Sequence, residues 1–154
     1  MVRIYELVVF TVDDQRYAVP LAVVERVVPM VEITPVPQTP EIVLGVINVQ
    51  GRVIPVINVR KRLSLPARAP HLSDQLLIAR TSKRAVALVV DAVSEVMTLS
   101  SQEVVLGETI LAHLDYVTGV VKWHDGLILI HDLDRFLSLE EEQALHEAIG
   151  SLTP

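Results

Sequence analysis

Five histidines, His71, His113, His124, His131 and His146, are the residues of this chain best suited to proton transfer or metal ligation near neutral pH. None stands in a metal-binding spacing such as His-x-x-x-His or His-Glu-x-x-His, and scattered surface positions account for them. His124 falls at a turn and His131 seven residues on, so nothing local brings the two together. Asp91, Asp115 and Asp132 border runs that read as strands, where turns commonly place Asp, and no spacing pairs them for acid–base work. Ser100-Ser101 lacks the Gly-x-Ser-x-Gly setting of an exposed nucleophile. The six glycines never cluster into a phosphate-cradling loop. With no cysteine, disulfides and thiolate metal sites are excluded. The enzymatic alternative is a metal-dependent hydrolase using His124, His131 and Asp132. The reading the residues favour is a chain that binds rather than catalyses, with no cofactor.

The elements behind these residues centre on Gly45 to Asn58. Runs of β-branched residues flank Gln50-Gly51, which reads as a two-residue hairpin turn with Gly51 free to take positive φ. Val46-Ile47, Val53-Ile54 and Val56-Ile57 are adjacent pairs, so both faces of the hairpin are apolar and both need cover. The pattern returns at Gly119 to Asp132, with the turn shifted by one to Asp125-Gly126. A fainter echo links Ala18-Val19 and Val24-x-Arg26-Val27 with Ala87-Leu88 and Val93-x-Glu95-Val96. Offsets of 69 to 75 residues in one order indicate a duplicated half rather than a solenoid. The two lobes meet near residues 64–74, a Pro-containing connection, with strands free to cross between them.

Elsewhere, Tyr5 to Val12 and Arg16 to Val19 form a hairpin, and Pro20 opens a short helix running to Arg26. Pro55 cannot donate to a ladder, which predicts an edge strand or a bulge. Gln75 to Arg80 and Ala85 to Val90 make another hairpin, and Ser100 to His113 reads as a loop with one helical turn. Residues 138–152 form a terminal helix opened by a Ser138/Glu141 capping box, its Leu145, Ala148, Ile149 and Leu152 face docking on the body.

At 154 residues, 51% hydrophobic and 21% charged, the chain suits one domain spanning 1–154 with an ample core. Its six aromatics among many Val, Leu and Ile residues favour strands. A net charge of −6 argues against nucleic acid, and the one basic run, Arg60-Lys61-Arg62, reads as a solvated helix face. The N-terminus has no signal-peptide pattern and no apolar run is long enough to span a bilayer, so a cytoplasmic protein without membrane insertion is expected.

Residues 5 to 137 resemble the CheW-like domain of bacterial chemotaxis. The resemblance rests on Gly45-Val46-Ile47-Asn48-Val49-x-Gly51 followed by Ile54-Pro55-Val56-Ile57-x-Val59-Arg60. Phe10-x-Val12, Tyr17, Val36-Pro37, Pro40, Val89-Val90-Asp91-x-Val93, Gly119 and Asp125-Gly126 with Asp132-Leu133 accompany it, in the family's order. The set covers about 85% of the chain. It implies a mainly β fold: two packed five-stranded SH3-like β-barrels with short helices and a C-terminal helix. It also implies a non-catalytic adaptor joining the regulatory domain of a CheA-type histidine kinase to the tips of methyl-accepting chemotaxis receptors. A barrel face would hold the kinase and the groove between barrels a receptor helical hairpin.

On that resemblance the partner-binding residues, on the receptor groove or the kinase face, are Val24, Arg26, Val27, Gln50, Gly51, Arg52 and Val96. Two of them depart from the family. Gln50 stands where the usual turn, Asn-Leu-Arg-Gly, carries Arg, and loses the charged planar fork that pairs with carboxylates. Arg26 stands where Glu is usual. Either the partners carry compensating charge, or the chain is a specialised regulator outside the main array. A regulator binding a small ligand in the groove is a further reading. Asn58 replaces the usual Asp, and either caps a following helix.

Overall fold

The computed structural model describes residues 4–106, 117–124 and 126–150. The β-branched runs of the first half become β1 (Ile4–Val12), β2 (Gln15–Pro20), β3 (Val24–Pro29), β4 (Val43–Val49) and β5 (Arg52–Ile57). The second half supplies β6 (Gln75–Arg80), β7 (Ala85–Val90), β8 (Ala92–Ser100), β9 (Val104–Leu106), β10 (Val117–Trp123) and β11 (Gly126–His131). Helices α1 (Val59–Arg62) and α2 (Leu139–Gly150) follow β5 and β11, the second after a 3-10 turn at Leu133–Arg135. His113, Asp115, Asp125 and Leu152, named above, lie outside the described residues.

The strands form two sheets, ordered β8-β1-β2-β11-β10-β9 and β3-β6-β7-β5-β4. Setting β9 aside, the orders correspond term by term: β1, β2, β3, β4 and β5 match β6, β7, β8, β10 and β11. Each sheet therefore takes a hairpin from one half of the chain and three strands from the other. Residues 64–74 join β5 to β6 within one sheet, and the chain changes sheets at Leu21–Val23 and at Asp91.

Each sheet closes on itself by the same device. Beyond β3 the chain reaches Thr34, which exchanges two backbone hydrogen bonds of 2.9 Å with Val46 of β4. Beyond β8 it passes through one 3-10 turn into β9, where Val105 pairs with Val120 of β10. The sixth strand of the first sheet is thus the continuation of β8, and both units are five-stranded barrels. A wider consequence is three apolar layers. Leu7, Val9, Ala18, Met97, Ile128 and their neighbours fill the first barrel. Ile47, Ile54, Val56, Leu76, Ile78 and Ala87 fill the second. Between the barrels lies a cluster that includes Val8, Phe10, Ile57, Leu77, Leu88 and Phe136. Alternation along β1 sends Leu7 and Val9 one way and Val8 and Phe10 the other, so a strand apolar on both sides is covered on both sides.

Several local expectations change under tertiary pairing. The helix expected from Pro20 to Arg26 is a single 3-10 turn at Leu21–Val23, because β6 offers Val24 to Pro29 a ladder that β-branched residues fill well. The second hairpin closes at Trp123 opposite Gly126, so its turn begins at His124 (φ 53°). That offset from Gly119 equals the offset of Gln50 from Gly45, and the expected one-residue shift is absent. Pro55 lies in β5, between β7 and β4, rather than on an edge strand. It is tolerated because Val46, opposite it, spends both backbone groups on Thr34, while β7 pairs with β5 only at Val56 and Ile57.

The basic run is not uniformly solvated. Arg60 is 9% exposed and holds Asp13 at 2.6 Å and Asp91 at 3.2 Å. Arg68 bridges Asp91 and Asp74, each at 2.9 Å. Burial alone would raise the Asp91 carboxyl, but the Asp13 N–H and the Arg60 and Arg68 guanidinium groups outweigh it and hold it below its ordinary value. Arg62 pairs with Glu141, and only Lys61 has the expected open setting, reaching Glu41. Arg60 follows the second barrel while Asp13 turns the first, so this pair staples the barrels together. Asp134, after β11, repeats the staple by accepting from Ser82 N in the β6–β7 turn at 2.6 Å. In α2 the capping box forms, Ser138 and Glu141 exchanging bonds of 2.8 and 3.1 Å. Leu145 is buried, Ile149 packs on the central cluster, and Glu142 pairs with Arg84, so the helix docks on the body.

His131 is 1% exposed, edge-on to Tyr17 and Phe136 at ring distances of 5.2 and 5.3 Å. Desolvation lowers its pKa to about 4 from an ordinary 6.5. The unfolded imidazole gains its proton near pH 6.5 and the folded one only near 4, so stability should fall as pH drops through that window. The loss amounts to about 3 kcal/mol. Urea titrations from pH 7 to 4 on the wild type and His131→Phe check this: the variant should show a distinctly shallower slope, most clearly between pH 6.5 and 5, and equal slopes would refute the assignment.

Candidate partner-binding surface

The seven residues named for partner binding fall on two outer strands and one turn. Val24, Arg26 and Val27 lie on β3, which pairs with β6 alone and forms one end of its sheet order. Val24 packs against the central cluster, Arg26 is exposed, and Val27 is 38% exposed. Val96 lies on β8, the outer strand of the other sheet, and is 57% exposed. Val27 pairs with Leu77 and Val96 with Val8, both members of the inter-barrel cluster, so the two valines extend that layer to solvent at equivalent positions. Gln75 Oε1 accepts from Val93 N at 2.7 Å, which ties β8 to the base of β6.

Gln50 and Gly51 form the exposed tip of the β4–β5 hairpin, with φ of 51° and 84°. Asn48 Oδ1 accepts from Gly51 N at 2.8 Å and pins the turn. Arg52 does not stand free beside Gln50. Its guanidinium donates to Glu25 at 2.9 Å, and Arg80 approaches the same carboxylate at 3.7 Å. The Arg52 hydrogen bond holds the Glu25 carboxyl below its ordinary value. This bridge gathers the hairpin tip and the start of β3 at one end of the second barrel, which brings Val24, Arg26, Gln50, Gly51 and Arg52 into one neighbourhood. Val96 belongs to the other barrel.

Glu25 sits in a β-bulge between Val24 and Arg26, and Ser94 occupies the matching bulge of β8. Such bulges re-aim side chains at sheet edges. Sequence reading passed over Glu25 and Arg80, which organise this end. The adjacency of Glu25 to Arg26 was the only available signal. Val53 and Leu127, legible in sequence only as apolar strand residues, are 44% and 48% exposed at equivalent places after the two hairpin turns.

The hydrolase alternative loses its geometry. His124 caps the β10–β11 hairpin against Trp123, at a ring distance of 4.6 Å, while His131 is buried at the strand's far end. The six residues of β11 separate them by roughly 20 Å. Asp132 caps the following 3-10 turn by accepting from Asp134 N at 3.0 Å. The three side chains serve three separate structural roles.

Against known proteins, the family model of the CheW-like domain matches residues 6–141. The chain is 32% identical over 141 residues to the chemotaxis protein CheW of Rhizobium meliloti, spanning 90% of this chain and 91% of that one. With the chemotaxis protein CheW of Thermotoga maritima it shares 30% over 145 residues, spanning 94% and 93%. The crystal structure of scaffolding protein TtCheW from Thermoanaerobacter tengcongensis superposes with a TM-score of 0.81 at 28% identity, covering 90% of this chain and 96% of that one.

Proposed function

This chain belongs to the CheW-like domain family, and from that membership we propose that it is a non-catalytic chemotaxis adaptor. It couples the regulatory domain of a CheA-type histidine kinase to the tips of methyl-accepting receptors. The observation that carries the reading is near full-length similarity to relatives named for chemotaxis and scaffolding. The two outer strands, with their exposed valines, and the hairpin tip supply protein-binding surface. Val24, Arg26, Val27, Gln50, Gly51, Arg52 and Val96 form the contact set, and the site of action is the bacterial cytoplasm, beside receptor arrays. Among the described residues no helix is long and apolar enough to cross a membrane. The two matched strand sets are pseudo-repeats within one domain of 1–154.

Gln50 and Arg26 favour partners that differ from those of the standard family. Gln50→Arg should strengthen binding to a standard receptor-tip fragment by about 1–3 kcal/mol if the contact is a desolvated, charge-assisted hydrogen bond. It should weaken binding to the cognate partner. Arg26→Glu should act likewise at the kinase face through charge complementarity. Titrations of the wild type and both variants against the two fragments, at low and moderate salt, test this, since screening weakens a surface charge effect. Equal binding by all three proteins would remove these residues from the interfaces. Failure of the wild type to bind either fragment would remove the adaptor reading.

A further inference from the structure

The turn between β6 and β7 carries Lys83 and Arg84 beside one flank of α2. With Leu139, Glu142, Gln143 and His146 these residues line an open groove of ≈ 640 Å³, within the size range of small-molecule sites. The four helical residues stand at i, i+3, i+4 and i+7 and so share a face, next to the one that buries Leu145 against the body. Leu139 is 80% exposed. A smaller recess of ≈ 50 Å³ at the start of the helix is also bordered by Lys83 and Leu139, which sets this cation beside that leucine. Arg84 is fixed from behind. Its Nε and Nη2 both lie 2.7 Å from Oε1 of buried Glu142, and Nη2 comes within 3.5 Å of His146 Nδ1. Among the described residues no acceptor pairs with Arg84 Nη1 or with the exposed Lys83 ammonium.

We propose that this groove binds a small amphipathic monoanion, a single carboxylate on a compact apolar body. The carboxylate accepts from Arg84 Nη1 and Lys83 Nζ, and the apolar body lies over Leu139. Lys83 and Arg84 bring two positive charges and Glu142 one negative charge, so one positive charge is left to neutralise. Glu140 and Glu147 are exposed on the same helix and unpaired among the described residues, so a polyanion or an acidic peptide would be repelled. A neutral molecule would forgo the charge-assisted hydrogen bonds. Leu139 to His146 spans about 10 Å along the helix axis, the length of a phenyl ring on a short carboxylated alkyl chain. The turn belongs to the second barrel and α2 packs on the cluster between barrels, so an occupant ties the helix to that barrel. None of the groove residues belongs to the partner-contact set, and the site is independent of the adaptor role.

The test is an amide-resolved NMR titration of the full chain with 4-phenylbutyrate. Its neutral counterpart 4-phenylbutanol and citrate, an anion with no apolar body, are titrated alongside. For a ligand of about twelve non-hydrogen atoms the Kd should be on the order of 1 mM, with shifts concentrated on Lys83, Arg84 and residues 139–146. The alcohol and citrate should each bind at least about tenfold more weakly. Lys83→Glu and Leu139→Ser replace exposed side chains that make no ion pair, and unchanged spectra elsewhere report that each variant is folded. Each should weaken 4-phenylbutyrate binding at least about fivefold, the first through charge and the second through lost apolar contact. Shifts centred on another surface, no saturation well above that Kd, equal binding of the alcohol or citrate, or either variant binding like the wild type would each overturn the proposal.

Discussion

Gly45→Ala should cost about 3 kcal/mol or more, far beyond the usual Gly-to-Ala effect in a strand. A Cβ at this position would lie 2.4 Å from Thr34 O and 3.0 Å from Ile33 Cγ2, and the backbone holds φ at +154°. The oxygen cannot withdraw, because Thr34 is fixed by its two hydrogen bonds to Val46. Those bonds close the second barrel, so relief of the clash means opening it. Gly51→Ala is the control. Its φ is +84°, but no atom lies within 4 Å of the added carbon, so only the local conformational cost of about 1–2 kcal/mol applies. Urea denaturation of both variants should give the larger loss at Gly45. A loss at Gly45 no larger than at Gly51 would show that the Thr34 bridge yields and does not close the barrel.

Local features of this fold were open to reading from sequence, and long-range ones were not. The Gln50-Gly51 turn and the Ser138/Glu141 box depend on residues within four positions of one another, and both form as read. The helix expected after Pro20 failed because its residues are judged locally as start signals, whereas β6, some fifty residues away in sequence, determines their state. Arg60 read as solvated because its partners Asp13 and Asp91 are distant in sequence, the latter by 31 residues. The swap of strands between sheets leaves no local trace either. The family resemblance, rather than periodicity, supplied the paired barrels. Of the candidate surface, the valines of β3 and β8 were legible as an echo, but exposure follows from their place at the ends of the sheet orders. The Arg52–Glu25 bridge depends on barrel closure, which no spacing of apolar residues encodes.

Ile47→Ala and Ile57→Ala should each cost about 2–5 kcal/mol, since both side chains are fully buried and truncation leaves a cavity in either place. Their value lies in which layer each disturbs. Ile47 belongs to the interior of the second barrel, Ile57 to the cluster between barrels. In the hairpin register Ile47 faces Ile54 while Ile57 faces Val43, four residues earlier on β4. With separate neighbours, the two losses should add within about 0.5 kcal/mol in the double variant. Ile57 and Leu88 are register partners across β5 and β7 and share the inter-barrel cluster. The pair Ile57→Ala and Leu88→Ala should therefore depart from additivity by about 0.5–3 kcal/mol, because the second truncation enlarges a cavity already opened. Chemical denaturation of the single and double variants measures both couplings. Strong coupling of Ile47 to Ile57, or none between Ile57 and Leu88, would mean that the apolar layers are one continuous core, and the hairpin would then no longer be the wall between two of them.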